Sequence, residues 1–214
     1  MTTSPKSKVA PKKPNKKAQW FKENPDQFID SCMFKAHFGP TPPPEKDRIW
    51  IFPKLHETLQ SVRRNKNTVV VSCNGFGKTF IASVTAAEFL CLNKDSIVIT
   101  TAPTWKQVEM LLWGEIRSRF NNARKKLVSC PVNLTSIKIS DKWYAIGLST
   151  DKEEQFQGFH AKKILVIIDE ASGVDRKIYK AISGIVNNDN ARLLAIGNHK
   201  LDFHGSISPH EQSD

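Results

Sequence analysis

The stretch that decides the fold is VVVSCNGFGKTF, residues 69–80. Residues 68–71 are all β-branched, which predicts a strand because such side chains suit a pleated sheet. Gly75 and Gly77 then interrupt the apolar run. Residues 78–92 follow with an apolar composition that lacks proline and glycine, as is typical of a helix packed against a sheet. The sequence therefore predicts a strand, a glycine-bearing turn and a helix, in that order.

This turn has the composition of a phosphate-binding loop. Small residues let backbone N–H groups converge on an anion, and the N-terminus of the following helix adds the positive end of its dipole. In the pattern G-x-x-x-x-G-K-[ST], Lys78 would reach the β- and γ-phosphates of a nucleotide, and the Thr79 hydroxyl would bind Mg²⁺. Ser72 replaces the first glycine and is small enough for the turn. The residues predicted to surround the phosphates are Ser72, Asn74, Gly75, Phe76, Gly77, Lys78 and Thr79.

Beyond this unit, strand and helix signals alternate along the chain. Three apolar runs are typical of buried strands: residues 96–101, 164–168 and 192–196. Residues 104–124 and 176–185 have the spacing of helices, and residues 135–149 alternate like a hairpin or two adjacent strands. The succession predicts an α/β fold with a mostly parallel central sheet and helices on both faces.

The helix that begins near residue 104 has two further features. Thr104 and Gln107 have the spacing of a capping box. Five apolar residues recur at helical spacing and are expected to face the core: Trp105, Val108, Leu112, Ile116 and Phe120. The sequence thus predicts that one side of this helix packs on the sheet.

The strand ILVII at residues 164–168 ends in Asp169 and Glu170. A parallel strand delivers its C-terminal residues to the sheet edge where ligands bind, so these carboxylates are expected beside the glycine-bearing turn. Asp169 would then hold Mg²⁺, and Glu170 would polarise the attacking water as general base. The alternative is a strand that ends in two solvated acids.

Three polar residues are weaker candidates. Asn198, after the last predicted strand, could hydrogen-bond a γ-phosphate or the attacking water, or it could belong to an ordinary Gly-Asn turn. Gln60 and His56, on a predicted helix over residues 53–64, could meet an adenine edge, although an exposed helical position is the common outcome for such residues.

Composition limits the class of protein. The 214 residues are 39% hydrophobic and carry a net charge of +11, of which +6 lies in residues 1–17, a lysine- and proline-rich tail expected to be disordered. No apolar run has the roughly 18 residues of a membrane helix, and no secretory signal follows the N-terminus. The four cysteines lack C-x-x-C pairing, which argues against disulfide frameworks and zinc ribbons. We expect a helical attachment over residues 18–65, a core over 66–199 and a polar segment over 200–214.

Four segments taken in order resemble the ATPase domain of the large terminase subunits of tailed bacteriophages, the motors that drive double-stranded DNA into procapsids. They are SCNGFGKT at 72–79, TTAPTWKQVEMLLWGEI at 100–116, FQGFHAKKILVIIDEASGV at 156–174 and RLLAIGNH at 192–199. The resemblance implies a three-layer P-loop NTPase fold of the additional-strand, catalytic-glutamate type. It also implies ATP and Mg²⁺ as cofactors, phosphate binding by Lys78, metal binding by Thr79 and Asp169, a catalytic glutamate at Glu170 and a coupling motif at Gly197 and Asn198. We therefore expect Glu170, Lys78 and Asn198 to act in catalysis.

The resemblance further implies the partners and the setting of such a protein. These are double-stranded DNA, the portal and procapsid, the small terminase subunit, a homo-oligomeric ring and the cytoplasm of a bacterial host. Family members continue into a metal-dependent nuclease domain that this sequence lacks, so we expect a fragment or a split gene product without nuclease activity.

One departure from the family pattern concerns positive charge. Many members carry an arginine in the P-loop where this chain has Asn74, so an arginine from a neighbouring subunit is expected to stabilise the transition state. The candidates are Arg117, Arg119, Arg124 and Arg176, with Lys162 or Lys163 as an alternative within the same chain.

Two other functions are compatible with the motifs. A helicase or other DNA-dependent ATPase would share them, although a helicase needs a second RecA-like domain for which the chain has no room. A non-catalytic fragment that binds only nucleotide or partners would also share them, although its phosphate-site lysine and both carboxylates are intact.

Overall fold

The structure is a computed structural model that describes residues 16–127, 130–151 and 153–198. Most of the tail predicted over residues 1–17, and all of the polar segment over 200–214, lie outside the described residues. The last two tail residues, Lys16 and Lys17, belong to the first helix.

The N-terminal part contains the expected helices and one unexpected small sheet. Strands β1 and β2 pair in parallel through Ala36 with Ile49 and Phe38 with Ile51, on either side of the proline-rich segment. A π-helical turn, Ile29–Met33, continues the second helix. The elements are α1 (Lys16–Glu23), α2 (Pro25–Phe28), β1 (Ala36–Phe38), β2 (Ile49–Ile51) and α3 (Pro53–Arg64).

A six-stranded sheet forms the centre of the molecule. Its strands are β3 (Asn67–Ser72), β4 (Ser96–Thr101), β5 (Ser136–Ser140), β6 (Trp143–Gly147), β7 (Lys163–Ile168) and β8 (Ala191–Asn198). Their order is β3-β8-β7-β4-β6-β5, and every pair is parallel except the hairpin β5-β6. Strand β8 is thus inserted between the strand of the glycine-bearing turn and the strand of the acids, which confirms the predicted additional-strand topology.

Three helices connect these strands: α4 (Lys78–Leu92), α5 (Trp113–Leu127) and α6 (Arg176–Ile185). The bounds of α4 and α6 coincide with the predicted ones. Helix α6 begins after Asp175, whose side chain accepts a hydrogen bond of 2.9 Å from the backbone N–H of Lys177. This N-cap satisfies one of the free donors of the first turn.

The side chains of the central strands alternate between two cores. In β7, Leu165 and Ile167 pack with the helices α3, α4 and α5, whereas Val166 and Ile168 pack with α6. The period of two follows from the pleat, and burial on both faces explains why β7 is a continuous apolar run. The helices on both faces and the sheet between them form the predicted three layers.

The N-terminal helices belong to the first of these cores. Phe21, Phe28 and Leu55 are buried in the same cluster as Ile81 and Leu90 of α4. No disulfide joins the four cysteines, all of which lie in the described residues. Among the helices of the described residues, none is both long and apolar enough to cross a membrane.

The segment that precedes α5 corrects one prediction. The capping box forms, because the backbone N–H of Gln107 lies 3.3 Å from Thr104 Oγ1 and that of Thr104 lies 3.1 Å from Gln107 Oε1. However, Trp105 is 40% exposed, whereas Trp113, which was not among the predicted core residues, is buried. Trp105 lies inside the capping box, before the π-helical stretch Gln107–Leu112, and so precedes the part of the segment whose inward face is buried. The other four predicted core residues are buried.

Candidate active site

Three neighbouring strands bring the candidate residues to one edge of the sheet. Ser72, the last residue of β3, is in register with Asn198, the last residue of β8. Asp169 directly follows β7, and its backbone N–H still donates to the Thr101 carbonyl at 2.9 Å. Because β3, β8 and β7 are parallel, the P-loop, Asn198 and the two acids meet at their carboxyl ends.

The P-loop requires glycine at two positions. Gly75 has a φ of +82° and Gly77 a φ of +92°, which are left-handed conformations that side chains rarely adopt. A Cβ on Gly75 would meet nothing within 4 Å, so backbone conformation and not crowding selects glycine there. Gly77 is the N-cap of α4, and the backbone N–H groups of the first turn that follows are free to bind an anion.

Lys78 is buried at the mouth of this loop, with 8% of its surface exposed. Its Nζ donates to the backbone oxygens of Cys73 at 2.8 Å and Ser72 at 3.3 Å, and to Oδ1 of Asn198 at 2.7 Å. The loop carbonyls and the amide thus hold the ammonium group next to the P-loop backbone.

Asn198 connects this lysine with the second acid. While its Oδ1 accepts from Lys78, its Nδ2 donates to Oε1 of Glu170 at 3.3 Å. One side chain therefore touches both the cation that would bind phosphate and the carboxylate that would activate water. The Gly-Asn turn considered as an alternative does not form here, since Asn198 is the last residue of β8.

Asp169 is buried and lies beside Thr79. Burial, and to a lesser degree the charge of Glu170, raise the pKa of Asp169 to about 6. Hydrogen bonds from the Glu170 backbone N–H, at 2.9 Å, and from the Thr79 side chain lower that pKa, as does the charge of Lys78. The two predicted magnesium ligands are thus adjacent, and a carboxylate with a hydroxyl is a donor set that suits Mg²⁺.

Glu170 has an unusual backbone. Its φ is +48°, in the left-handed region, and it precedes a short 3₁₀ turn, Ala171–Gly173. The Gly173 N–H donates to the Glu170 carbonyl at 2.8 Å and closes this turn. Such conformations cost free energy and persist only where the surrounding structure maintains them. They are found most often at functional sites. Here the turn directs the Glu170 carboxylate towards Asn198.

His56 and Gln60 lie on α3, which begins next to the P-loop and runs away from it. Leu55 lies beside Gly77, whereas Gln60 is five residues, or about 7.5 Å along the axis, further on. The Nε2 of His56 lies 2.7 Å from Asp26 Oδ2 and 3.2 Å from the Nε2 of Gln60. These contacts do not involve the loop, so the adenine-contacting role of both residues stays a prediction.

An aromatic pair lines the side of the P-loop. The rings of Phe76 and Phe52 pack edge to face with centroids 5.6 Å apart. Phe52 precedes the first residue of α3, and no feature of its sequence position marked it as part of the site. This pair provides an apolar wall next to the phosphate-binding turn.

The candidate arginines differ in availability. Arg119 lies over the rings of Phe34 and Phe80, at 5.2 and 4.9 Å, and forms an ion pair of 2.8 Å with Glu115. It is therefore engaged within its own chain. Arg117 donates to the Leu134 carbonyl. The side chain of Arg124 lies outside the described residues.

Arg176 is exposed at the first residue of α6, six positions after Glu170. In contrast, Lys163 is the first residue of β7, about 16 Å from the carboxyl end where the acids lie. Lys162 precedes it at the same end. The structure therefore corrects the expectation that either lysine could supply positive charge to its own P-loop.

Comparisons with known proteins cover most of this region. The family model described as an AAA domain matches residues 56–201. A curated relative, the probable terminase large subunit of Enterobacteria phage P7, is 28% identical over 169 residues, which make up 74% of this chain and 32% of that protein. The chain therefore spans about a third of the length of this relative.

Solved structures share the fold at low identity. The large terminase ATPase domain of Thermus phage P74-26 has a TM-score of 0.55 and 19% identity over 71% of each chain. The large terminase of bacteriophage HK97 has a TM-score of 0.60 and 15% identity over 82% of this chain and 37% of that one. With a family match over more than half of its length, the chain belongs to the AAA domain family, and its fold is that of the ATPase domain of phage large terminases.

Proposed function

We propose that this chain is the ATP-hydrolysing motor domain of a terminase large subunit that translocates double-stranded DNA into procapsids. The observation that carries the proposal is the linked set Lys78, Asn198 and Glu170 next to the adjacent pair Thr79 and Asp169. This set combines a phosphate-binding cation, a candidate base and a candidate metal site at one sheet edge.

Binding of the nucleotide is assigned to the loop and to Lys78. The N–H groups at the start of α4 donate to phosphate oxygens, and the Lys78 ammonium group neutralises part of their charge. The loop residues Ser72, Asn74, Gly75, Phe76 and Gly77 supply the surrounding backbone. Lys78 already lies at the loop, so its Nζ only has to exchange the hydrogen bond to Asn198 for one to a phosphate oxygen.

Thr79 and Asp169 would hold Mg²⁺, which when bound offsets negative charge on the phosphates. With a pKa of about 6, Asp169 is largely ionised at neutral pH and is therefore able to act as a ligand. The Thr79 hydroxyl, which donates to this carboxylate, offers its oxygen lone pairs to a metal.

Hydrolysis is assigned to Glu170. Its carboxylate accepts a proton from the attacking water, while the hydrogen bond from Asn198 orients it. Because Asn198 also contacts Lys78, occupation of the phosphate site would move the amide and thereby change the position of Glu170. This coupling would link nucleotide state to catalysis.

An arginine from a neighbouring subunit completes the proposed site, since Asn74 carries no charge. Among the candidates whose side chains the structure describes, Arg176 fits best, because it is exposed at the edge of the sheet that holds Glu170. This assignment requires a homo-oligomeric ring.

The remaining partners are inferred from the terminase relatives. They are double-stranded DNA, the portal of the procapsid and the small terminase subunit, in the cytoplasm of a bacterial host. The two acids at the sheet edge are assigned to ATP, so we expect no cleavage of duplex DNA by this chain with Mg²⁺ or Mn²⁺.

The proposal is tested by ATP turnover of the full chain, measured as phosphate release with and without Mg²⁺, procapsids and linear duplex DNA. We expect slow Mg²⁺-dependent hydrolysis that increases on assembly with procapsids and DNA. Hydrolysis no faster than that of the Glu170→Gln variant, even with all partners present, would contradict an active motor domain.

A further inference from the structure

A cavity lies at the amino-terminal ends of β7 and β8, on the opposite side of the sheet from the candidate active site. It has a volume of about 650 Å³ and is formed by the ends of α1, α3 and α4 and the beginnings of β7 and β8. Lys163, the first residue of β7, marks this side, whereas the P-loop lies at the carboxyl ends of the strands. We call this cavity, opposite the P-loop, the basal cavity. The length of β7, about 16 Å, separates it from the candidate active site.

The walls of the basal cavity carry an excess of positive charge. Five basic side chains and three acidic ones line it: Lys22, Arg63, Arg64, Lys163, Arg192, Glu23, Asp26 and Glu88. Arg63 accounts for two of the acids, since it pairs with both oxygens of Glu88, at 2.9 and 2.7 Å, and with Asp26 at 2.8 Å. The other four basic groups, those of Lys22, Arg64, Lys163 and Arg192, line the cavity and do not pair with these two carboxylates.

Two of these basic groups lie side by side. Lys22 and Lys163 both line this cavity. Burial, and then the charge of Lys163, lower the pKa of Lys22, as expected of two neighbouring ammonium groups that repel each other. The Nζ of Lys163 donates to Oδ1 of Asn93 at 3.0 Å. Within the described parts of the chain, neither lysine forms an ion pair with a carboxylate. An anion between the two ammonium groups would convert this repulsion into attraction.

The cavity wall also contains an unsatisfied polar group. Thr85 is 8% exposed, and its hydroxyl is buried without a hydrogen-bond partner among the described residues. Amide side chains of Gln60 and Asn190 line the same space and could donate to a ligand. The volume is within the range of about 300–1,000 Å³ that small-molecule sites occupy.

We propose that the basal cavity binds a phosphate group between Lys22 and Lys163, carried either by a nucleotide-sized molecule or by the DNA backbone. The observation behind it is the juxtaposition of two lysines with no carboxylate partner in a polar cavity. The site is separate from the P-loop, so the proposal does not depend on the proposed hydrolysis there.

The test compares two double variants that each remove two positive charges. The cavity variant, Lys22→Ala with Lys163→Ala, removes both lysines from the basal cavity. The control, Lys142→Ala with Lys180→Ala, removes two exposed lysines elsewhere. Both are made in a Lys78→Ala background, so that the P-loop does not contribute to binding. The probes are ADP, followed by calorimetry, and a 20-base-pair DNA duplex of arbitrary sequence, followed by fluorescence anisotropy over a range of salt concentrations.

We expect the cavity variant to weaken binding of one probe by roughly tenfold or more and the control to change it less than about threefold. A loss for ADP identifies a small phosphorylated ligand. A loss for DNA, with the slope of log K against log salt reduced by about 0.9 for one phosphate contact, identifies the DNA backbone. Equal effects of the two double variants on both probes would overturn the proposal.

Two further variants guard against an effect of misfolding. Lys22→Arg with Lys163→Arg keeps both charges and should retain binding. Lys22→Gln alone changes only the exposed end of α1 and should weaken the same probe as the double variant does. Full binding by Lys22→Gln in a chain with unchanged thermal unfolding would contradict the site.

Discussion

Oδ1 of Asn198 accepts a hydrogen bond of 2.7 Å from Nζ of Lys78, although 120 residues separate the two in the sequence. The contact arises because β8 pairs directly with β3, so that the last residues of both strands are neighbours. As the amide also reaches Glu170, any group that draws Lys78 away from Asn198 changes the hydrogen bonding of the candidate base.

This relationship predicts the effect of Asn198→Ala. The variant should bind ATP within a few-fold of the original chain, because the loop and Lys78 remain. Its turnover should fall by roughly tenfold to a hundredfold, because Glu170 loses the hydrogen bond that orients it. Equilibrium nucleotide binding and steady-state phosphate release distinguish the two effects. A variant with full turnover would show that Asn198 does not position the base.

Lys78→Ala should abolish binding of Mg-ATP. The ammonium group is the cation that projects from the P-loop helix into the phosphate site, and alanine leaves the phosphates without a charged partner. Calorimetry with ATP measures the loss, and Lys180→Ala serves as a control with the same change in charge. Unchanged affinity in Lys78→Ala would place the nucleotide elsewhere on the chain.

Glu170→Gln should keep nucleotide binding and lose turnover by a factor on the order of 10² or more, because a neutral amide retains the shape of the side chain but does not accept the proton of water. Single-turnover hydrolysis measures the chemical step directly. If Glu170→Gln hydrolyses ATP at the original rate, another residue is the base.

Asp169→Asn should stabilise the fold above pH 6 in the absence of metal. Folding raises the pKa of Asp169 from 3.8 to about 6, so its contribution to stability is present below pH 4 and is lost as the pH rises through about 6. At pH 8 the ionised group is therefore a cost of about 1–3 kcal/mol, which the neutral amide avoids. Urea unfolding in EDTA at pH 4 and pH 8 measures it, and the variant's advantage should shrink at the lower pH.

Arg176→Ala should reduce hydrolysis only in assembled protein. If Arg176 acts on a neighbouring subunit, specific activity per chain rises with protein concentration, by up to roughly 10³–10⁵ at full assembly, and the variant loses this increase. Mixing the variant with Glu170→Gln then restores some activity, because each chain supplies what the other lacks. Lys180→Ala on the same helix is the control. A rate per chain that stays constant from dilute monomer to assembled ring would contradict a residue acting between subunits.

Local patterns in the sequence were enough to define several elements. Gly75, Gly77 and the β-branched run before them predicted the strand, turn and helix, because positive φ values and the preference for an extended backbone depend on residue types within a few positions. The helix Lys78–Leu92 and the strand Ser96–Thr101 have the predicted bounds for the same reason.

Only the tertiary structure decided which distant residues meet. The insertion of β8 between β3 and β7 brings Asn198 to Lys78 and Glu170, and the packing of α1 against α4 places Lys22 in the same cavity as Lys163. Packing also places the guanidinium group of Arg119 over two aromatic rings. A local pattern specifies that a strand forms but not its neighbours, since strand order depends on how all helices and strands bury their apolar faces together.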